Sequence, residues 1–190
     1  MSFLYNITQS NKQKYIWFHT AKCGTRSILN FLTTKTDVSF TKRVKSVGKH
    51  WHKYFKFAIV RNPWDRLVSA YQNKIIENHQ SGLMSWRDNT KSFTHFILKV
   101  NEVDVDTADP HICSLSSRFP REMDYIGRFE NLQDDFNIIC DKLGFPEEEL
   151  PHRNKSEHTH YSEYYNDLTR RIVARKYAKD IELFNYKFKE

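Results

Sequence analysis

Residues 15 to 32 read YIWFHTAKCGTRSILNFL, and this stretch decides the fold. Tyr15 to His19 is a short, nearly continuous apolar run. A polar loop, Thr20 to Ser27, follows it. Ile28, Leu29, Phe31 and Leu32 then repeat at helical spacing. The stretch predicts strand, loop and helix. A continuous apolar run suits a strand buried on both faces, as in a parallel sheet.

Two more units follow the same plan. Phe57 to Val60 (FAIV) predicts a second buried strand. Asn62 then suits a helix N-cap and Pro63 the first helical position. Leu67, Val68, Tyr71 and Ile75 continue at helical spacing. Tyr125 to Phe129 (YIGRF) predicts a third strand, with Asn131 as a cap. Leu132, Phe136, Ile139, Cys140 and Leu143 follow on one helical face, and Gly144 stops the helix. A last helix is predicted over about 162 to 179, with Tyr165, Leu168 and Ile172 inward. Strands alternating with helices give an α/β class with a mainly parallel sheet.

The 190 residues suit one domain, 1–190. Hydrophobic residues make up 39% and charged residues 28%, a folded rather than a disordered composition. No run approaches 18 apolar residues, so no spanning helix is predicted. The start, MSFLYNITQSNKQKY, has no apolar signal-peptide core. Cys23, Cys113 and Cys140 are odd in number and widely spaced. They predict neither a disulfide framework nor a zinc site, and a reduced compartment is the simplest reading. The net charge is +7, which suits an anionic partner. Segment 35–56 holds seven cations against Asp37, leaving +6. Val44, Val47 and Trp51 give it the spacing of a short amphipathic helix. It reads as a solvated face or as a docking surface for an acidic acceptor.

The loop after the first strand gathers the parts of an anion cradle. A helix start offers N–H groups and the positive dipole end. Gly24 permits close backbone approach, Thr25 and Ser27 carry hydroxyls, and Lys22 and Arg26 carry charge. Lys22 precedes the glycine, so the order is not that of a Walker A loop. The second strand ends in Arg61 rather than in the acid a magnesium-dependent kinase needs. Arg61 can fork onto phosphate oxygens, or pair with Asp65 or Glu130. Ser69 lies two helical turns further on.

Together these loops resemble the sulfotransferase family, in particular the group that includes carbohydrate sulfotransferases and many bacterial members. AKCGTRS resembles the family's 5′-phosphosulfate loop, Pro-Lys-x-Gly-(Thr/Ser)-x-Ser, with Ala21 where proline is usual. FAIVRNPWDRLVSAY resembles its 3′-phosphate motif. MDYIGRFENLQDDF and the stretch from LPHRNKS to DIELFNY resemble its later segments, so the likeness runs over roughly residues 14–188. The resemblance implies a P-loop-like fold, the donor 3′-phosphoadenosine-5′-phosphosulfate (PAPS), and in-line sulfuryl transfer to a hydroxyl or amine. No metal is expected. It implies that Lys22, Cys23, Gly24, Thr25, Arg26 and Ser27 hold the 5′-phosphosulfate, and Arg61 and Ser69 the 3′-phosphate. Asn154, Lys155 and Ser156 are secondary nucleotide contacts, and Arg128 a weaker one.

Lys22 is the expected catalytic cation. For the general base, His111 in Asp109-Pro110-His111 ranks first and His50 second, with His52, Glu77 and His79 behind. His19 and Trp17 read as packing residues, Trp64 as packing the second loop, and Trp86 as a loop anchor. The expected partners are a nucleotide donor and a carbohydrate acceptor, not nucleic acid. The alternative reading is a P-loop-type kinase of a small metabolite. The expected location is the cytoplasm of a bacterium, or the Golgi lumen for a trimmed chain.

Overall fold

The computed structural model describes residues 5–44, 49–77, 79–150 and 159–189. The chain divides into two compact units. One is Met1–Val60 with Ser117–Asn154, the other Arg61–Ser116 with Lys155–Glu190.

The first unit is α/β. Its strands are β1 (Tyr5–Ser10), β2 (Tyr15–Phe18), β3 (Phe40–Val44), β4 (Phe55–Val60) and β5 (Tyr125–Arg128). They form one sheet in the order β3-β1-β2-β4-β5. β2, β4 and β5 run parallel, in register Phe18↔Ala58 and Val60↔Arg128. These are the three strands the apolar runs predict. All four residues of β2 and the last five of β4 are buried, as expected for central strands covered on both faces.

The sheet is mixed, because β1 pairs antiparallel with both β2 and β3. Neither strand shows an apolar run. Thr8, Gln9 and Ser10 of β1 are buried and polar. The burial of Thr8 is tolerable because it finds partners: its Oγ1 lies 2.7 Å from His19 Nε2 and 2.8 Å from Thr41 Oγ1.

Helices α1 (Thr25–Lys35) and α4 (Leu132–Leu143) belong to this unit. Phe31 and Phe136 meet edge to face at 4.9 Å. Burying a pair of rings like this is worth about 1.5–3 kcal/mol for each side chain. Gly144 closes α4 in the left-handed conformation, as its position predicts. Asn131 precedes α4, but its side chain makes no capping bond. A 3-10 turn, Phe129–Asn131, leads into the helix instead.

Of the helix predicted from Val44 to Trp51, Val47 lies outside the described residues, and the described parts are not α-helical. Phe40–Val44 pairs as an edge strand, and a 3-10 turn covers Lys49–Lys53. Two of its cations face acids from elsewhere in the unit, Lys35 to Glu148 at 2.8 Å and Lys56 to Asp124 at 2.7 Å. The acids lie outside the window, so sequence counting overstated the local charge.

The second unit is helical: α2 (Pro63–Tyr71), α3 (Phe93–Glu102), α5 (Asp167–Lys176) and α6 (Ala178–Phe184). Its core joins Leu67, Val68, Phe96, Ile97, Val173 and Tyr177. Asn62 caps α2 by accepting from the Trp64 N–H, with Pro63 first in the helix, as predicted. A π-helical turn, Gln72–Ile76, continues it. The predicted last helix is instead two helices preceded by a 3-10 turn, Tyr161–Tyr164. Ile172 is inward, but Leu168 is half exposed, because the capping box on Asn166 sets the helix start so that Thr169 faces the core.

His19 packs as expected. Its ring lies tilted against Trp17 at 4.1 Å, and burial pushes its pKa from 6.5 down to about 4. Between those two values the unfolded chain holds a proton on His19 that the folded chain does not. Stability therefore falls as pH drops through that window and is unaffected above it. The expected loss from pH 7.5 to pH 5 is about 2 kcal/mol. Urea unfolding at both pH values, repeated on His19→Gln, should show that this part of the pH dependence disappears in the variant.

Candidate functional site

Two regions carry the predicted residues, one in each unit. In the first unit, β2 ends at Phe18 and α1 begins at Thr25. The loop between them turns through two left-handed residues, Lys22 at φ 69° and Gly24 at φ 75°. Glycine adopts that conformation freely, whereas a lysine there is strained by about 1 kcal/mol or more. Gly24 also has no room for a side chain. A Cβ would stand 2.6 Å from Leu132 Cδ2, because the start of α4 packs against it.

The loop is anchored at both ends. Thr20 Oγ1 donates to the Ile59 carbonyl in β4, and Thr25 Oγ1 donates to the Thr20 carbonyl at 2.7 Å. The Thr25 hydroxyl thus closes the loop. Gly24 accepts the Ser27 and Ile28 N–H groups, and among the described residues no side chain caps the helix start. Cys23 and Ser27 are buried, Lys22 is half-buried and Arg26 is exposed. A braced turn therefore presents the positive end of α1 beside a lysine held in a strained conformation, a combination suited to an anion.

His50 is not brought to this loop. It precedes β4 and stands 6.4 Å from the Tyr54 ring. That ring also carries Lys14 Nζ at 5.2 Å, and its hydroxyl donates to Asn11, both from the β1–β2 turn. This is the end of the sheet where β2 and β4 begin, whereas the loop follows the strand ends. His52 is exposed on the same turn. Arg128 ends β5, where its N–H donates to Asp135.

In the second unit, Arg61 follows β4 directly in the chain and is buried. Its Nε donates to Asp65 Oδ2 at 2.8 Å, four residues on. This is one of the two ion pairs the sequence left open. It takes one of five guanidinium N–H donors and fixes the plane of the group. Ser69 is buried on α2. Trp64 packs against Phe188 and donates to the Arg170 carbonyl. Trp86 packs on Phe96 as a loop anchor. Glu77 and His79 form an exposed pair at 3.4 Å.

His111 is the predicted base with the most built surroundings. Its Nδ1 lies 2.7 Å from Asp109 Oδ1, and its backbone N–H donates to the same oxygen at 2.9 Å. Burial alone would raise the Asp109 pKa. The bonds from His111, together with the Gly82 backbone, outweigh burial and hold it below the usual carboxylate range. An ionised carboxylate only accepts, so Nδ1 carries a proton, and in the neutral ring the lone pair is on Nε2. The chain just beyond His111 is fixed by three buried groups. Arg66 donates to the Cys113 carbonyl and Tyr177 to the Ile112 carbonyl. Asp180 accepts from the N–H groups of Leu115 and Ser116 at 2.7 and 2.9 Å. Sequence reading missed Arg66, Tyr177 and Asp180, because pairs more than 45 residues apart leave no local pattern.

Asn154, Lys155 and Ser156 lie outside the described residues. The three cysteines are buried, and none is in a disulfide among the described residues.

The family model described as "Sulfotransferase family" matches residues 5–187. Among curated proteins, the chain is 29% identical to carbohydrate sulfotransferase 14 of Danio rerio over 163 residues, covering 70% of this chain and 44% of that protein. It is 28% identical to carbohydrate sulfotransferase 10 of Pongo abelii over 195 residues, covering 82% and 51%. It is 25% identical to carbohydrate sulfotransferase 9 of Homo sapiens over 176 residues, covering 75% and 40%. The chain thus spans about half the length, or less, of these relatives. No solved structure gives a significant match. The expectation of a bacterial cytoplasmic protein is overturned, since these relatives are vertebrate carbohydrate sulfotransferases. Among the described residues, no helix is long and apolar enough to cross a membrane.

Proposed function

The chain belongs to the sulfotransferase family, and from that premise we propose that it moves a sulfuryl group from PAPS to a hydroxyl or amine of a saccharide. The observation that carries this reading is the braced loop before α1, with Lys22 and Gly24 both left-handed at the helix start. Its donor set suits a phosphosulfate: backbone N–H groups at a helix start, and a lysine and an arginine within five residues.

Lys22, Cys23, Gly24, Thr25, Arg26 and Ser27 would hold the 5′-phosphosulfate, and Arg61 and Ser69 the 3′-phosphate. Asn154, Lys155 and Ser156 remain secondary candidates by resemblance. When bound, the donor supplies the sulfuryl group and a phosphate leaving group, on which negative charge grows as the S–O bond breaks. The Lys22 ammonium is suited to stabilise that growing charge more than the ground state. His111 Nε2 is suited to take the acceptor proton, and Asp109 holds its tautomer. A kinase reading loses support from the family match and from the lysine's place before the glycine.

The test is transfer of label from ³⁵S-PAPS to neutral, carboxylated and amine-bearing oligosaccharides, with γ-labelled ATP in a parallel arm. Label on a saccharide from PAPS alone is the expected result. Transfer from ATP without any from PAPS would contradict the reading.

A further inference from the structure

Gly82 and Asp109 stand 27 residues apart in the sequence, yet they form one seat. The Gly82 backbone stands against the Asp109 carboxylate and adds to the lowering of its pKa. A Cβ on Gly82 would lie 2.4 Å from Asp109 Oδ2 and 3.4 Å from its Cγ. The φ of Gly82 is not in the left-handed range, so alanine would fit the backbone. The one thing it would displace is the carboxylate end of Asp109. The turn that carries Gly82 is braced. Arg87 donates to the carbonyls of Lys74 and His79 at 3.0 and 2.6 Å, Lys74 Nζ to the Gln80 carbonyl at 3.2 Å, and Leu83 is buried beneath. The other side of the seat is equally fixed, since the N–H groups of Ile112 and Cys113 both return to the Asp109 carbonyl. Asp109 is 14% and His111 23% exposed, so the pair lies at the surface with limited freedom.

We propose that Gly82 and Asp109 are a positioning pair for His111: the bare Cα of Gly82 seats the carboxylate, and the carboxylate holds the His111 proton on Nδ1, leaving Nε2 as the proton-accepting nitrogen. The catalytic consequence rests on His111 being the general base. The sequence stretch Ser81-Gly82-Leu83 thereby acquires a role in the reaction without contacting a substrate. Neither residue is a catalytic residue in itself.

The test reads the tautomer directly. Nitrogen-15 correlation spectra of histidine-labelled protein should show His111 protonated on Nδ1 in the native chain. In Gly82→Ala and in Asp109→Asn this preference should weaken or reverse, because the alanine moves the carboxylate and the amide can donate where a carboxylate cannot. Both variants should lower kcat by about 10- to 100-fold with the KM for PAPS unchanged. A native His111 protonated on Nε2, or a tautomer unmoved in both variants, would overturn the proposal. His111→Ala separates the two levels. Full turnover in that variant, with the tautomer still shifted in Gly82→Ala, would sink the base assignment and leave the seat standing.

Discussion

Lys22→Gly lowers turnover by about 10²- to 10³-fold and leaves the fold intact; this is the result the loop geometry predicts. Lys22 stands at φ 69°, where glycine is at ease and other side chains are strained. The replacement thus removes the ammonium and the strain together. Relief of strain offsets glycine's larger freedom in the unfolded chain, so unfolding in urea should match the native chain to within about 1 kcal/mol. Activity and stability part company only if the lysine is kept for chemistry. Lys22→Ala should lose the same activity with a less stable fold, since alanine at positive φ is disfavoured. A Lys22→Gly enzyme with native turnover would end the assignment of Lys22 as the catalytic cation.

His111→Ala should lower kcat by about 10²- to 10⁴-fold, the usual worth of a general base. The loss should fall on kcat rather than on PAPS affinity, because His111 is assigned to the acceptor's proton. The structural cost should be small. The backbone beyond it is held by Arg66, Tyr177 and Asp180, none of which depends on the imidazole. An unchanged rate would direct attention to Glu77 and His79, the exposed pair that follows α2. His50 has less claim, standing beside Tyr54 where the strands begin.

The parallel half of the sheet was legible because burial on both faces writes continuous apolar runs, and the caps of α2 and α4 because Asn-Pro and glycine have local geometric reasons to sit there. The loop before α1 was legible for the same reason, since close spacing carries its chemistry. What stayed hidden lies in long-range pairing. β1 and β3 are polar strands whose buried hydroxyls are satisfied across the sheet, as Thr8 is by His19 and Thr41. Leu168 fits the helical repeat but faces outward, because a capping box fixed the phase of its helix. The Asp109–His111 pair was visible as a tripeptide, but its seat on Gly82 was not. Charge counting also misled: Lys35 and Lys56 are matched by Glu148 and Asp124, both far along the chain.

We propose that the donor nucleotide is phosphorylated at both ends of its ribose, one phosphate assigned to the Lys22 loop and the other to Arg61. Titration calorimetry with 3′-phosphoadenosine 5′-phosphate, ADP and AMP tests it directly, in the native chain and in Arg61→Ala. The account predicts that the 3′-phosphorylated nucleotide binds the native chain far more tightly than the other two. It also predicts that Arg61→Ala removes about 30-fold or more of that affinity while barely changing ADP. Equal binding of all three nucleotides, or equal losses for all three in the variant, would contradict it.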